Sequence, residues 1–189
     1  MDRRGCVLIV DDTVSIRETL TAILKPDHYT LLTAGSGEDA LTLAEAHVPD
    51  VILLDVMMPG MSGFDVCRVL RQSPRLGEVP VIIVTALDDR SSLLEGLDAG
   101  ADDFLTKPID HIELRARVRS IVRLNRYRRL LDERERFMQV ADSSSDAIVS
   151  VDGEGKITFA NQRARGLLGA AASDGAPARG VLRIGRAHV

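Results

Sequence analysis

Asp55 closes the apolar run Val51-Ile52-Leu53-Leu54, and three other apolar runs close on groups of complementary chemistry. Cys6-Val7-Leu8-Ile9-Val10 ends in Asp11-Asp12, and Val81-Ile82-Ile83-Val84 ends in Thr85-Ala86. Asp103-Phe104-Leu105-Thr106 ends in Lys107-Pro108. Continuous apolar runs of this length read as buried parallel strands, and ligands collect outside the carboxyl ends of such strands. Three acids, a hydroxyl and an ammonium group therefore converge on one edge of one sheet. A carboxylate and a phosphoryl group are both negative, so attack of one on the other requires charge cancellation and an in-line geometry. The set predicts phosphorylation of Asp55.

Each residue has a plainer role when taken alone. Asp11 and Asp12 suit a helix cap, Thr85 a strand end, Lys107-Pro108 a surface loop and Phe104 a core aromatic. Chance does not readily place all of them at the ends of four strands.

The positioning elements follow from periodicity. Strands alternate with helical patterns, which predicts a doubly wound α/β domain. After Asp12, the residues Ile16, Leu20, Ile23 and Leu24 keep helical spacing until Lys25-Pro26. Tyr29 to Ala34 reads as the second strand. Ser36-Gly37-Glu38-Asp39 reads as a capping box for a helix that stops before Pro49. Ser62 caps a third helix with Phe64, Val66, Val69 and Leu70 expected on its inner face. A fourth helix carries Leu93, Leu94 and Leu97 and ends at Gly100, a suitable left-handed cap.

The ordered motifs VDD, LLDVMMPGMSG, VTA and GADDFLTKP, followed by an amphipathic helix, resemble the receiver domain of two-component response regulators. The resemblance covers roughly residues 5 to 124. It implies a flavodoxin-like fold, a five-stranded parallel sheet in order 2-1-3-4-5 with five helices, and an extended C-terminal helix. It implies Asp55 as phosphoacceptor, with a sensor histidine kinase or phosphotransfer protein as donor. It also implies Mg²⁺ as cofactor, held by Asp11, Asp12, Asp55 and the backbone carbonyl of Met57, an all-oxygen donor set that suits a hard cation. Lys107 and Thr85 would meet the remaining phosphoryl oxygens. Thr85 and Phe104 would form the switch, the hydroxyl moving toward the phosphoryl group while the ring turns inward. The surface that changes would be the fourth helix, fifth strand and fifth helix. Asp102 or Asp103 with Arg117 would supply intersubunit pairs there, although Leu93 stands where the dimeric regulators carry a basic residue.

Composition bounds the remaining classes. The chain has 189 residues, 45% of them hydrophobic but only 3% aromatic, which gives room for one ordinary domain and a smaller piece. Residues 1–108 hold 18 acidic against 9 basic side chains, and residues 109–142 hold 6 against 9. An acidic globule with a basic helical extension argues against direct nucleic-acid binding by the first domain. Two cysteines and four scattered histidines show neither a disulfide framework nor metal spacing. No signal segment or membrane span is legible, so a cytoplasmic location is expected.

From Ile109 a helical pattern runs unusually far. Leu114, Val118, Ile121 and Val122 are expected on the sheet. Beyond them Leu124, Tyr127, Leu131, Arg134, Met138 and Ala141 alternate by three and four. A solvated linker helix over 125–142 and a short dimeric coiled coil both fit that pattern. Residues 143–169 then form two alternating runs around Asp152-Gly153-Glu154-Gly155 and a short helix, resembling the opening of a PAS sensor domain. The tail 170–189 reads as disordered, and the chain as cut short relative to a longer gene. Two functions compete: a response regulator driving an attached or partner output, and a phosphate shuttle or sink without one. A receiver-PAS fragment of a hybrid histidine kinase or a diguanylate cyclase is a further alternative. No enzymatic core is legible beyond the receiver's own assisted phosphorylation and dephosphorylation.

Overall fold

The computed structural model describes residues 5–86, 90–173 and 175–178. The chain divides into two compact units, residues 1–128 and 129–189. In the first, β1 (Cys6–Val10), β2 (Thr30–Ala34), β3 (Val51–Leu54), β4 (Val81–Thr85) and β5 (Asp103–Thr106) form a parallel sheet in order 2-1-3-4-5. The connecting helices are α1 (Val14–Leu24), α2 (Gly37–His47), α3 (Gly63–Gln72) and α4 (Arg90–Asp98), and α5 (His111–Ser143) follows β5. This is the expected flavodoxin-like receiver fold with a long last helix.

Alternate residues of the central strands face opposite layers, as the pleat requires. Leu8, Val10, Ile52, Leu54, Val81 and Ile83 pack with Ala40, Ala44, Phe64, Val66, Cys67 and Leu70 from α2 and α3. Val7, Ile9, Val51, Leu53, Ile82 and Val84 pack instead with Leu20 and Leu24 of α1 and Leu114, Val118 and Val122 of α5. Each fully buried Leu, Ile or Val contributes about 1.5–3 kcal/mol, so the two layers hold the sheet from both faces.

Local signals act largely as the sequence predicts. Ser36 Oγ accepts from Asp39 N at 3.2 Å at the start of α2. Ser62 Oγ accepts from Asp65 N at 3.2 Å and donates to the Asp65 carboxylate at 2.6 Å. Gly100 has φ +94° at the end of α4, and the Ala101 amide returns to the Gly96 carbonyl. Val69 departs from expectation: it is exposed, and Cys67 takes the inward position, because the buried stripe of α3 runs through 63, 64, 66, 67 and 70.

The residues expected to supply intersubunit pairs have partners within the chain. Arg71 reaches across from α3 to donate to the carbonyls of Gly77, Val79 and Gly100 and to Asp102 Oδ2 at 2.7 Å. Arg117 Nη1 lies 2.5 Å from Asp103 Oδ1, and its Nη2 lies 2.6 Å from Glu113 Oε1. Asp102, Asp103 and Arg117 are therefore all paired within one chain.

In the second unit, β6 (Val149–Val151) and β7 (Ile157–Ala160) form the expected antiparallel hairpin, followed by α6 (Gln162–Leu168). Asp152 Oδ1 accepts from the amides of Glu154 and Lys156, which closes the turn at Gly155. The boundary at Ala170 shifts. A 3₁₀ turn spans Gly169–Ala172, and Pro177 bridges to Lys156 beside the hairpin. The amide of Ile157 donates to the Ala176 carbonyl and that of Ala178 to Gly155. The remainder of the predicted tail, 179–189, lies outside the described residues. Ala141, the last member of the predicted heptad seam, is buried, whereas Leu124, Tyr127 and Leu131 are exposed. Among the described residues no helix is long and apolar enough to cross a membrane.

Candidate active site at the carboxyl edge of the sheet

Strand register brings the candidate residues together. Val10 pairs with Leu54, and the Asp55 amide donates to the Val10 carbonyl at 2.9 Å, so Asp11 and Asp55 leave adjacent strands side by side. Asp11, Asp12 and Asp55 each present a carboxylate oxygen within 4.8 Å of the others. Asp11 and Asp55 are nearly inaccessible to solvent, whereas Asp12 is exposed. Three carboxylates so close repel one another unless a cation lies among them.

Lys107 supplies one such charge. Its Nζ lies 2.7 Å from Asp11 Oδ2 and 3.2 Å from Asp55 Oδ1. Burial works against the ammonium, but its hydrogen bond to Asp11 and the charges of Asp55 and Asp11 outweigh that, and its pKa stands above the ordinary lysine value. Burial lifts the pKa of Asp55 above the usual carboxylate value; the Lys107 charge pulls it down and Asp11 pushes it up again. The Lys107 amide donates to the Thr85 carbonyl at 2.8 Å, fixing the end of β5 against the end of β4. Thr85 itself is buried at that end.

Phe104 lies on β5 three residues before Lys107, packed against the layer that contains Phe64 and Val66. Met57 follows Asp55 by two positions in the loop, with its side chain exposed. The donor set among these residues is entirely hard oxygen and strongly anionic, which fits a divalent cation such as Mg²⁺.

Two further residues shape the site. Gly63 opens α3 directly against the backbone of Asp55: a Cβ at this position would lie 2.1 Å from the Asp55 carbonyl oxygen. Only glycine permits that approach, and the sequence signal for it is the Ser-Gly pair at the helix start. Arg17 folds back from α1 so that Nη1 donates to the carbonyls of Asp11 and Asp12, at 2.5 and 3.0 Å. Its only sequence signal is a basic residue one turn into the helix that follows the acid pair.

Comparison with known proteins agrees with this geometry. Residues 7–119 match the response regulator receiver domain family, and residues 135–187 match a PAS domain. The chain is 49% identical over 127 residues to the response regulator PleD of Caulobacter vibrioides, covering 67% of this chain and 27% of that protein. It is 41% identical over 143 residues to the DNA-binding response regulator MtrA of Mycobacterium tuberculosis, covering 76% of this chain and 59% of that one. The chain thus spans less than two thirds of either relative. Among solved structures, the chemotaxis response regulator CheY4 of Vibrio cholerae matches with TM-score 0.59 and 32% identity, over 62% of this chain and 98% of that one. The receiver domain of a signal transduction histidine kinase from Syntrophus aciditrophicus matches with TM-score 0.59 and 36% identity, over 62% and 89%. With its 2-1-3-4-5 sheet, its acid edge and a family match across well over half its length, this chain belongs to the response regulator receiver family.

Proposed function

We propose that this chain is a phosphorelay response regulator that accepts a phosphoryl group on Asp55 from the phosphohistidine of a sensor kinase or phosphotransfer protein. The observation that carries the reading is the Lys107 ammonium bridging Asp11 and Asp55 at the edge where three carboxylates meet. A carboxylate oxygen of Asp55 attacks phosphorus, a P–O bond forms as the P–N bond to imidazole breaks, and the imidazole leaves with the electron pair. Asp11, Asp12, Asp55 and the Met57 carbonyl would hold Mg²⁺, which supplies charge neutralisation on the transferring group. Lys107 leaves its carboxylate partners to meet one phosphoryl oxygen, a point charge at the end of a flexible stem. The Thr85 hydroxyl donates to another, and its movement frees room that the Phe104 ring can fill. Phe104 has no hydroxyl, so it acts by packing alone.

The protein is a switch rather than an enzyme on this reading, with self-assisted phosphorylation and hydrolysis as its only chemistry. The PAS match from residue 135 favours a regulator whose receiver is linked to a sensory or output module over a bare phosphate sink. The acidic first unit is expected to make no nucleic-acid contact of its own. Intact mass after incubation with a small acyl phosphate tests the assignment. The expected result is a Mg²⁺-dependent gain of one phosphoryl group that is lost in Asp55→Asn. Undiminished labelling of Asp55→Asn would place the acceptor elsewhere. Light scattering of the same samples separates a switch that dimerises on phosphorylation from a monomeric relay.

A further inference from the structure

We propose that Arg17 is a positioning residue of the phosphoacceptor site, holding the loop that carries Asp11 and Asp12 in the conformation that can take a divalent cation. The proposal rests on the phosphoacceptor reading above and adds a residue to it. In the loop between β1 and α1 the Asp11 carboxylate is held by the Thr13 amide, which donates to Oδ1 at 2.9 Å, and by Lys107 Nζ at 2.7 Å from Oδ2. The backbone carbonyls of Asp11 and Asp12 are held instead by Arg17. Thr13, at the N-cap of α1, makes no side-chain cap to the helix; its hydroxyl donates to Asp12 Oδ1 at 3.2 Å instead. The first turn of α1 contains no acidic residue. The Asp11 amide reaches the Ala34 carbonyl only at 3.3 Å.

Arg17 compensates from inside the helix. A single nitrogen, Nη1, donates to the consecutive carbonyls of Asp11 and Asp12, at 2.5 and 3.0 Å. Two successive peptide planes are thereby fixed with their oxygens toward α1. With those planes fixed, the backbone positions from which the Asp11 and Asp12 side chains extend are set as well. The Arg17 guanidinium also lies against Gly35, where a Cβ would come to 3.4 Å from Nη1, so the loop after β2 bounds its position. Charge-assisted hydrogen bonds of this kind are stronger than neutral ones and persist beside anionic groups. Residues that orient metal ligands without touching the metal commonly govern affinity by ~10–100-fold when changed.

The test uses the full chain, with Mg²⁺ alone as titrant in calorimetry and a small acyl phosphate for uptake. Arg17→Gln is expected to weaken Mg²⁺ binding by about tenfold or more. Phosphoryl uptake should then need correspondingly more Mg²⁺ yet reach the wild-type level at saturation. Because one nitrogen makes both bonds, the ammonium of Arg17→Lys is expected to restore most of the affinity. Wild-type Mg²⁺ affinity in Arg17→Gln would overturn the proposal, as would a lysine variant no better than glutamine. Loss of the cooperative melt in Arg17→Gln would make Arg17 a general stability residue and overturn the proposal. Weakened Mg²⁺ affinity in a glutamine variant that melts as wild type, restored in Arg17→Lys, supports the positioning role. Wild-type protein that binds no Mg²⁺ would instead overturn the underlying phosphoacceptor reading, and this proposal with it.

Discussion

Lys107 sits closer to Asp11 than to Asp55: its Nζ is 2.7 Å from the Asp11 carboxylate and 3.2 Å from that of the proposed phosphoacceptor. The ammonium therefore partly neutralises the acid cluster that a metal would neutralise. Two unit charges ~4 Å apart interact by ~4 kcal/mol at an effective dielectric near 20, so Lys107 and a divalent cation compete across this site. Replacing Lys107 by methionine removes that competition. Lys107→Met is expected to bind Mg²⁺ about tenfold more tightly, a fraction of that Coulomb energy. It should also lose the conformational response to phosphorylation, since no charge remains to meet the phosphoryl oxygen. Calorimetric titration with Mg²⁺ checks the first half; unchanged or weaker binding would mean the ammonium does not oppose the cation.

Gly96 in α4 holds open the space beside Phe104. A Cβ there would lie 2.6 Å from Phe104 Cε1 and 3.1 Å from Phe64 Cε1. Alanine would gain about 1 kcal/mol of helix propensity over glycine, so the requirement for space must exceed that gain. Gly96→Ala is expected to destabilise the receiver by about 1–3 kcal/mol through overpacking. In a Phe104→Ala background the same change should be neutral or stabilising. Urea unfolding of the four proteins gives the coupling between the two positions, and additive effects would show that Gly96 serves another purpose.

What was legible in the sequence follows from range. The four strand-end motifs are local apolar runs terminated by chemistry, and register alone places Asp11, Asp55, Thr85 and Lys107 on one edge. The caps at Ser36 and Ser62 are equally local. Arg71 and Asp102 are not: they lie 31 residues apart, and nothing in either neighbourhood signals their partner. The same holds for Asp103 and Arg117, 14 residues apart, whose pairing within the chain no local pattern signals. Val69 was misplaced because an apolar residue one position off the stripe is indistinguishable from a core residue in a short helix. From Ala170 to Ala178 the residues are small and show no period. The backbone bonds that place Ala176 and Ala178 beside the hairpin come from tertiary pairing rather than side-chain pattern.

Acid stability should report the clamp between Asp27 and α5. Arg115 Nε and Nη2 donate to the two carboxylate oxygens of Asp27 at 2.8 and 2.9 Å, and Arg119 adds a third contact at 3.2 Å. The hydrogen bond from Arg115 is the main cause that holds the Asp27 pKa below its ordinary value, against the opposing effect of burial. A carboxyl depressed in the folded state adds stability that is fully present above its unfolded pKa. That contribution is lost as pH falls through the depressed value. Asp27→Asn should therefore be less stable than wild type at neutral pH, with the difference shrinking below the ordinary aspartate range. Melting temperatures against pH for both proteins check this, and parallel curves down to the acid limb would show that the clamp carries no net stability.

Asn161 is the corresponding keystone of the second unit, and it is fully buried. Its Oδ1 accepts from the amides of Ile148 and Ala164, both at 2.9 Å. Its Nδ2 donates to the carbonyls of Ala141 and Asp146, at 2.7 and 2.9 Å. One amide thus joins the end of α5, the entry to β6 and the start of α6, where it also serves as N-cap. No other side chain of this size offers two donors and two acceptor lone pairs at once. Asn161→Asp replaces the two donors by an acceptor facing carbonyl oxygens, while Asn161→Ala leaves all four backbone groups without their partner. Each unpaired buried group costs about 1–3 kcal/mol, so either change should exceed the stability that a small hairpin unit can hold. Hydrogen exchange should show lost protection at Ile148, Ala164 and the β6–β7 hairpin, with the amides of β1, β3 and β4 unaffected. Retained protection of the hairpin in Asn161→Ala would mean that apolar packing of Ile157, Ala160 and Ala164 suffices without the amide network.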